Sequence, residues 1–328
     1  MLLFSLFRNH STTETILFGV FAIIITVFLL LDLGVFHKTA HRITTKTALY
    51  QSIFWVLVST AFGYAVYHFD DSADGGADAL LEYFSAYLTE YALSVDNIFV
   101  ILLILKYFTV QEEYYHKVLF WGILGAVLFR GVFIFVGAYL IGQFHWILYV
   151  FGVFLIYSGI KIYFEDSDEK IDPEKNPIMR LSRAYLPISK DAQGGQFMVT
   201  ENDKFKFTPL FLVVILIETT DLIFAVDSIP AAFAITQNEF LIYTSNIFAV
   251  LGLRAMFFLL AGIIDKFYLL QKGLSVILFF IGAKMLLEII HFEIPVVLSF
   301  LVIIITLTLA VVFSVLIPKK DKPSEELN

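Results

Sequence analysis

Long apolar runs separated by short polar segments dominate the chain. A helix crosses the hydrocarbon of a bilayer with about 20 apolar residues, and the chain contains about nine runs of that kind. The predicted spans cover residues 15–36, 47–68, 80–105, 118–140, 144–164, 208–234, 242–264, 273–290 and 295–317. This pattern predicts an all-α integral membrane protein, with a single membrane domain over residues 1–328.

One connection, at residues 165–207, is much longer than the others and is predicted to lie outside the membrane. Two β-prone runs near its end, 197–200 and 204–208, flank a polar Glu-Asn-Asp turn, which predicts a small hairpin. A flexible linker is the alternative. Residues 318–328 are predicted to form a disordered cytoplasmic tail.

Lysine and arginine residues concentrate in alternate connections, and this asymmetry predicts the orientation of the chain. In the opposite connections Arg8 is the only lysine or arginine, and the longest of them contains an acidic stretch at 70–78. We therefore expect the N-terminus outside and the C-terminus in the cytoplasm. The basic positions on the predicted cytoplasmic side are Lys38, Arg42, Lys46, Lys106, Lys117, Lys170, Lys175, Arg180, Arg183, Lys190, Lys204, Lys206, Lys266, Lys272, Lys319, Lys320 and Lys322.

Composition narrows the classes of protein that remain. Of the 328 residues 59% are hydrophobic and 16% are charged, with a mean hydropathy of +0.82. A soluble domain carries about 25% charged residues, so a soluble enzyme and a disordered protein are both disfavoured. The net charge of −8 disfavours a nucleic-acid partner. The chain has no cysteine, which excludes disulfides, thiol catalysis and thiolate metal sites.

The third and sixth predicted spans carry related sequences, EYALSVDNIFV at 90–100 and DLIFAVDSIPA at 221–231. The spans that follow them match as well, so the repeated unit is three helices, spans 3–5 and 6–8. An odd number of helices starts the second copy from the opposite side of the membrane. Inverted repeats of this kind are typical of transporters. Aligned positions include Glu90 with Asp221, Asp96 with Asp227, Arg130 with Arg254, and Lys161 with Lys284.

Acidic residues lie inside both repeated spans. One acid at the bilayer centre costs about 2.5–3.5 kcal/mol on insertion scales, so five of them require compensation. Proton sharing, cationic partners or a bound metal ion would each supply it. The candidate metal ligands are Glu90, Asp96 and Asn97 in the third span, and Glu218, Asp221, Asp227 and Ser228 in the sixth.

Helical geometry divides these residues between two faces. Glu90 and Asn97 share one face of their helix, as do Asp221 and Ser228 of theirs. Their neighbours Asp96 and Asp227 lie about 120° away. Pro230 predicts a local interruption of the sixth span that would free a backbone carbonyl as a further ligand.

The predicted ligands are all oxygen atoms, which suit Mg, Ca or Mn better than Zn or Cu. The alternative is that the acids form interhelical ion pairs with basic residues. For Arg130 and Arg254 a structural role as charge partners is the favoured interpretation. Asp32 and Asn246 are polar residues of other spans that could border the site.

The motifs YALSVDNIFV and IETTDLIFAVDSIPA resemble the two characteristic helices of the TerC family, the tellurium-resistance integral membrane proteins. TSNIFAVLGLRAMFFLLAG and DLGVFHKTAH are similar to its Alx-type members. The resemblance implies a fold like the LysE superfamily and manganese export across the bacterial plasma (inner) membrane. It also implies that Glu90, Asp96, Glu218, Asp221 and Asp227 occupy the family's intramembrane acidic positions.

These observations lead to a multi-pass transporter that exports Mn(II) or a similar hard divalent cation, without enzymatic activity or a prosthetic group. Closely spaced carboxylates raise one another's pKa, so proton coupling is part of the hypothesis. The alternative is a membrane scaffold that assists assembly or metal loading of exported proteins through a protein partner at 165–207. Tellurite is an anion that a ring of carboxylates binds poorly, so tellurite resistance would be indirect. Divalent ions and membrane lipid are the other expected partners, and nucleic acid is not.

Overall fold

The computed structural model describes residues 12–36, 44–69, 76–144, 146–164, 186–189, 195–201, 204–261, 269–290, 292 and 294–317. Nine α-helices and one short hairpin make up most of these residues. The helices are α1 (Thr12–Phe36), α2 (Thr45–Phe69), α3 (Gly76–Tyr107), α4 (Glu112–Gln143), α5 (Ile147–Phe164), α6 (Pro209–Ile235), α7 (Glu239–Leu260), α8 (Leu270–Leu287) and α9 (Val296–Leu316). A 3₁₀ turn, Glu288–Ile290, follows α8.

Seven of the described helices, α2 and α4 to α9, are long and apolar enough to cross a membrane. In α1 the apolar part is the shorter segment Thr15–Leu30. Helix α3 has 32 residues, but Asp78, Glu90 and Lys106 interrupt its apolar pattern. The chain is thus an all-helical, multi-pass membrane protein, while the count of nine spans and the inverted repeat stay predictions.

Helix α7 lies at the centre of the bundle, where it packs mainly against α2, α3 and α4 and touches α1. In its most apolar segment 89% of the residues are buried inside the protein, against 11% in α9. Large apolar side chains of α9 therefore face outwards, for example Val315 and Leu316. Outward apolar surface of this extent fits contact with lipid, as the hydropathy pattern predicts.

Helices α5 and α8 make the closest interhelical packing, because glycines let their backbones approach. A Cβ atom placed on Gly159 would lie 2.7 Å from the carbonyl oxygen of Ser275. A Cβ atom placed on Gly282 would lie 2.6 Å from the carbonyl oxygen of Gly152. Neither position can accept a side chain unless the two backbones move apart.

The hairpin consists of β1 (Met198–Glu201) and β2 (Lys204–Phe207), paired antiparallel, at the place where the sequence predicts one. Lys117 of α4 contacts the segment that precedes the hairpin, where its Nζ atom donates to the Gly195 carbonyl oxygen at 2.7 Å. The Lys117 ammonium also lies 4.7 Å from the centre of the Phe197 ring. The end of this connection is therefore attached to α4. Residues 165–185 and the predicted tail at 318–328 lie outside the described residues.

Candidate functional site

Arg130, near the middle of α4, is buried with 2% of its surface exposed. Its guanidinium forms ion pairs with Glu90 of α3 and Asp221 of α6. It also donates from Nη1 to Oδ1 of Asn246 on α7, at 3.0 Å. One side chain therefore joins four helices inside the membrane domain.

The contact between Arg130 and Asp221 is bidentate. Nη2 donates to Oδ1 at 2.9 Å and Nε donates to Oδ2 at 3.3 Å. Two parallel bonds of this kind match the planar fork of a guanidinium to a carboxylate. The Glu90 carboxylate receives a bond from Nη1 through Oε1. All the polar atoms of the guanidinium are thus directed at oxygen acceptors from other helices.

Two amides complete the arrangement. Asn97 donates from Nδ2 to Asp221 Oδ1 at 2.8 Å, and Asn246 donates from Nδ2 to Glu90 Oε2 at 2.8 Å. Each of the five residues is at most 5% exposed. We call Glu90, Asn97, Arg130, Asp221 and Asn246 the Arg130 cluster. With two carboxylates and one guanidinium, the cluster carries one excess negative charge.

The local sequence explains why these side chains meet. Glu90 and Asn97 are seven residues apart, about two helical turns, so both project from the same side of α3. Asp221 is aligned with Glu90 in the repeated motif. The two aligned carboxylates therefore bind one guanidinium at the interface between α3, α4 and α6.

Asp227 lies in a different environment from Asp221, although both belong to α6. Its Oδ1 atom accepts a hydrogen bond from Ser158 of α5 at 2.9 Å, and the residue is only half-buried. Helix α6 continues without interruption through Pro230, so the local break expected from that proline is not seen. The two faces predicted for this helix thus remain separate, and Asp227 is directed towards α5.

Glu218 lies one turn before Asp221 and is packed against a glycine of α4. A Cβ atom on Gly125 would collide with the carboxyl group of Glu218, so the missing side chain leaves space for this group. Its Oε2 atom is buried and has no hydrogen-bond partner within the described residues. Nothing in the sequence pattern marks Gly125 as part of the site.

Other buried oxygen atoms near these helices also lack a hydrogen-bond partner among the described residues: Ser94 Oγ and Asn97 Oδ1 on α3, and Ser228 Oγ on α6. Such atoms are suited to bind water or a hard cation. In the part of the chain that is described, no three acidic or histidine side chains converge as a metal centre. The side chains of Asp96 and Asp32 lie outside the described residues, although both positions belong to helices.

The structure thus distributes the predicted residues over three environments. Glu90, Asn97, Asp221 and Arg130 lie in one cluster with Asn246, which sequence analysis placed only at the border. Asp227 bonds to Ser158, a residue that sequence analysis did not single out. Arg254, aligned with Arg130, is half-buried on α7 and has interactions of its own.

The fold and these buried charges define a multi-pass integral membrane protein with an ionic cluster inside its helical bundle. The chain belongs to the family described as "Integral membrane protein TerC family", whose sequence profile matches residues 75–322. That match includes every member of the Arg130 cluster and Asp227.

Several relatives share most of the chain. An uncharacterized membrane protein of Myxococcus xanthus, STKORF319, is 44% identical over 81% of both chains. A protein of Escherichia coli strain K12, which carries the provisional name membrane-bound redox modulator Alx, is 42% identical over 94% of both chains. An uncharacterized membrane protein of Rickettsia bellii is 43% identical over 92% of this chain and 97% of its own. No solved structure matches this chain.

Proposed function

We propose that this protein transports a hard divalent cation, with Mn(II) as the first candidate, out of the cytoplasm. The observation that carries the proposal is the meeting of Glu90 and Asp221, aligned acids of two repeated helices, in one buried cluster. The cluster retains a negative charge where the surroundings are apolar. Buried ionisable groups of this kind mark ion pathways in membrane proteins.

The packing of α5 against α8 supports an inverted repeat. Alignment of the repeats places Gly159 opposite Gly282, and in the same register Gly152 opposite Ser275. The close contact of Gly159 with Ser275 and that of Gly282 with Gly152 are then equivalent under a two-fold relation. Helix α3 packs on α7 as α6 packs on α4, which is the exchange of partners that such a relation requires. Transporters built in this way bind their substrate between the repeats.

The substrate class follows from the oxygen donors. Carboxylate, amide and hydroxyl oxygens favour Mg, Ca or Mn, and the choice of Mn(II) and of export rests on the family resemblance. In this proposal Asp96 and Asp227 are the core ligands related by the repeat. Glu90, Asp221 and Glu218 complete the site or exchange protons with it, while Asn97 and Ser228 supply further oxygens.

The name of the Escherichia coli relative mentions redox modulation, and in this chain such an effect on redox balance would be indirect. The sequence has no cysteine, so thiol–disulfide exchange is excluded. Control of the cellular supply of a redox-active metal would produce a redox effect without any electron transfer by the protein itself.

The proposed orientation places the hairpin in the cytoplasm. Lys117 and Lys206 lie at the hairpin end of the bundle, and Lys272 of α8 bonds to the Tyr163 carbonyl oxygen near the end of α5. A concentration of basic residues at one end agrees with the positive-inside rule.

The test is uptake of Mn²⁺, Mg²⁺, Ca²⁺ and Zn²⁺ by proteoliposomes containing the purified protein. Wild type is compared with Asp221→Asn, Asp227→Asn and Asp96→Asn, each of which removes a charge and almost no volume. Glu201→Gln is the matched control, because this half-exposed carboxylate belongs to the hairpin. We expect Mn²⁺ flux in wild type and the control and its loss in the three variants.

Flux that persists in all three aspartate variants would place the ion pathway elsewhere. Absence of flux for every ion with folded wild type would overturn the transporter proposal. A proton gradient of either sign imposed across the same vesicles tests coupling, since a coupled transporter responds to it and an uncoupled one does not.

One observation favours the scaffold as a second candidate function. Phe205 on β2 is 78% exposed and Met198 on β1 is 57% exposed, so the hairpin presents apolar side chains away from the bundle. A scaffold would lose its function in Phe205→Ser while Mn²⁺ flux in vesicles stays unchanged. A transporter would instead lose Mn²⁺ flux in Asp221→Asn and keep its function in Phe205→Ser.

A further inference from the structure

Arg130 donates to three of the four carboxylate oxygens of Glu90 and Asp221, which are atoms that a bound cation would need. We propose that Arg130 is a resident cation that competes with the transported ion for Glu90 and Asp221, and that ion binding displaces it from at least one of them. The inference rests on the proposed function and adds a role for a basic residue that the ligand set does not contain.

The hydrogen bonds show how completely the guanidinium fills this position. Both oxygens of Asp221 accept bonds from Arg130, and Oδ1 also accepts one from Asn97. Both oxygens of Glu90 are also engaged, one by Arg130 and the other by Asn246. A metal ion that coordinates these carboxylates therefore competes directly with these donors for the same oxygen atoms.

The charge balance favours exchange over addition. With Arg130 in place the two carboxylates leave one negative charge. Adding a divalent ion while the guanidinium stays would bring two cations into contact in a buried, low-dielectric region, where like charges repel strongly. A divalent ion that replaces the guanidinium leaves the two carboxylates and the metal neutral.

The neighbourhood offers the displaced guanidinium another acceptor. Glu218 lies one turn before Asp221 on α6, and its buried Oε2 atom has no partner within the described residues. It packs against Gly125, on the same helix as Arg130. A change of side-chain rotamer could therefore transfer the guanidinium from Asp221 towards Glu218, which keeps the positive charge paired.

Mn²⁺ binding to the purified full-length protein in detergent tests this competition, with the free ion measured by its EPR signal. Wild type is compared with Arg130→Gln and Arg130→Lys, and Arg254→Gln serves as the control at the aligned position. Removal of the competitor raises the fraction of protein that can accept the ion, so we expect Arg130→Gln to bind Mn²⁺ about tenfold more tightly. Arg130→Lys keeps the charge but loses the bidentate contact, and should bind several-fold more tightly.

Thermal unfolding with and without Mn²⁺ gives an independent measurement. Arg130→Gln leaves two buried carboxylates without their counter-ion, so its melting temperature should fall in the absence of metal and recover when Mn²⁺ is added. Wild type and Arg254→Gln should show a much smaller shift. A side chain with a purely structural role would lower the melting temperature equally in both conditions.

The outcomes separate this inference from the proposed function. Equal or weaker Mn²⁺ affinity in folded Arg130→Gln, with clear binding in wild type, would overturn the competition and leave the transporter proposal standing. If Arg130→Gln does not fold even with Mn²⁺, the lysine variant decides, and affinity no higher than wild type overturns the inference. Absence of Mn²⁺ binding in every folded protein overturns the proposed function and this inference together.

Discussion

The α5–α8 interface and the Arg130 cluster both join helices of the two predicted repeats, but they do so in different ways. At the α5–α8 interface the contacts come in matched pairs, with Gly159 near Ser275 and Gly282 near Gly152. In the cluster two aligned carboxylates share the single side chain of Arg130. The aligned Arg254 is half-buried and lies on a different helix.

The difference follows from the nature of the two interactions. Backbone packing through small residues can occur twice at one interface, because each contact occupies little space. In the cluster every carboxylate oxygen already accepts a bond from Arg130 or from an asparagine, so a second guanidinium would have to share acceptors that are in use. The apolar interface can therefore carry two similar contacts, whereas the charged cluster contains one of two aligned arginines.

The largest loss of stability is expected when both carboxylates of the Arg130 cluster are replaced by amides. Glu90→Gln combined with Asp221→Asn leaves Arg130 buried without a counter-ion, which should lower the free energy of unfolding by about 3–5 kcal/mol. Each single variant leaves a neutral pair and should cost less than the double variant. Denaturation of the purified protein in detergent measures the three values. A double variant no less stable than either single one would contradict the prediction.

The next largest loss of stability tests whether the two glycine contacts of the α5–α8 interface are equivalent. Gly159→Ala and Gly282→Ala each place a methyl group against a facing backbone, so each should destabilise the protein by about 1–3 kcal/mol, and by similar amounts. Gly142→Ala is the control, because a Cβ atom there meets nothing within 4 Å. Melting temperatures of the three variants give the comparison. Unequal losses for Gly159 and Gly282 would show that the two contacts are not equivalent.

A smaller effect is expected at the arginine outside the cluster. Arg254→Gln should cost about 1 kcal/mol of unfolding free energy, because a half-buried side chain is partly compensated by its polar surroundings. Arg130→Gln should cost several times more. The same denaturation experiment measures both. Equal losses would mean that Arg254 contributes as much to stability as Arg130 does, and the two aligned arginines would then not differ.

The smallest effect on stability is expected at Gly125. The methyl group of Gly125→Ala would collide with the tip of the flexible Glu218 side chain, which can move aside at a cost below about 1 kcal/mol. Displacement of that carboxyl should nevertheless lower Mn²⁺ flux in vesicles. Gly142→Ala on the same helix should leave both melting temperature and flux unchanged. Unchanged flux in folded Gly125→Ala would exclude Glu218 from the pathway.

Much of the site could be predicted because acidic residues are conspicuous in apolar runs. Helical periodicity places Glu90 and Asn97 on a different helix face from Asp96. It likewise places Asp221 on a different face from Asp227. The sequence also indicated Arg130 as a charge partner, since an apolar helix rarely carries an isolated cation.

Other contacts could not be predicted, because they depend on how the helices pack. Ser158 is one of many hydroxyl residues, and only the approach of α5 to α6 makes it a donor to Asp227. Gly125 is a position where a side chain is missing, which carries no signal of its own. Pro230 predicted a break, yet the helix continues through it, since packing on several sides can retain a proline in a membrane helix.

The enclosure of α7 has a consequence for the order in which the chain is assembled. Its main neighbours, α2, α3 and α4, all precede it in the sequence. Thr244, Ser245 and Asn246 would be poorly tolerated in contact with lipid, and each is at most 1% exposed. During synthesis these helices emerge from the ribosome before α7. The helices that shield most of its polar side chains are therefore available as soon as α7 itself is made.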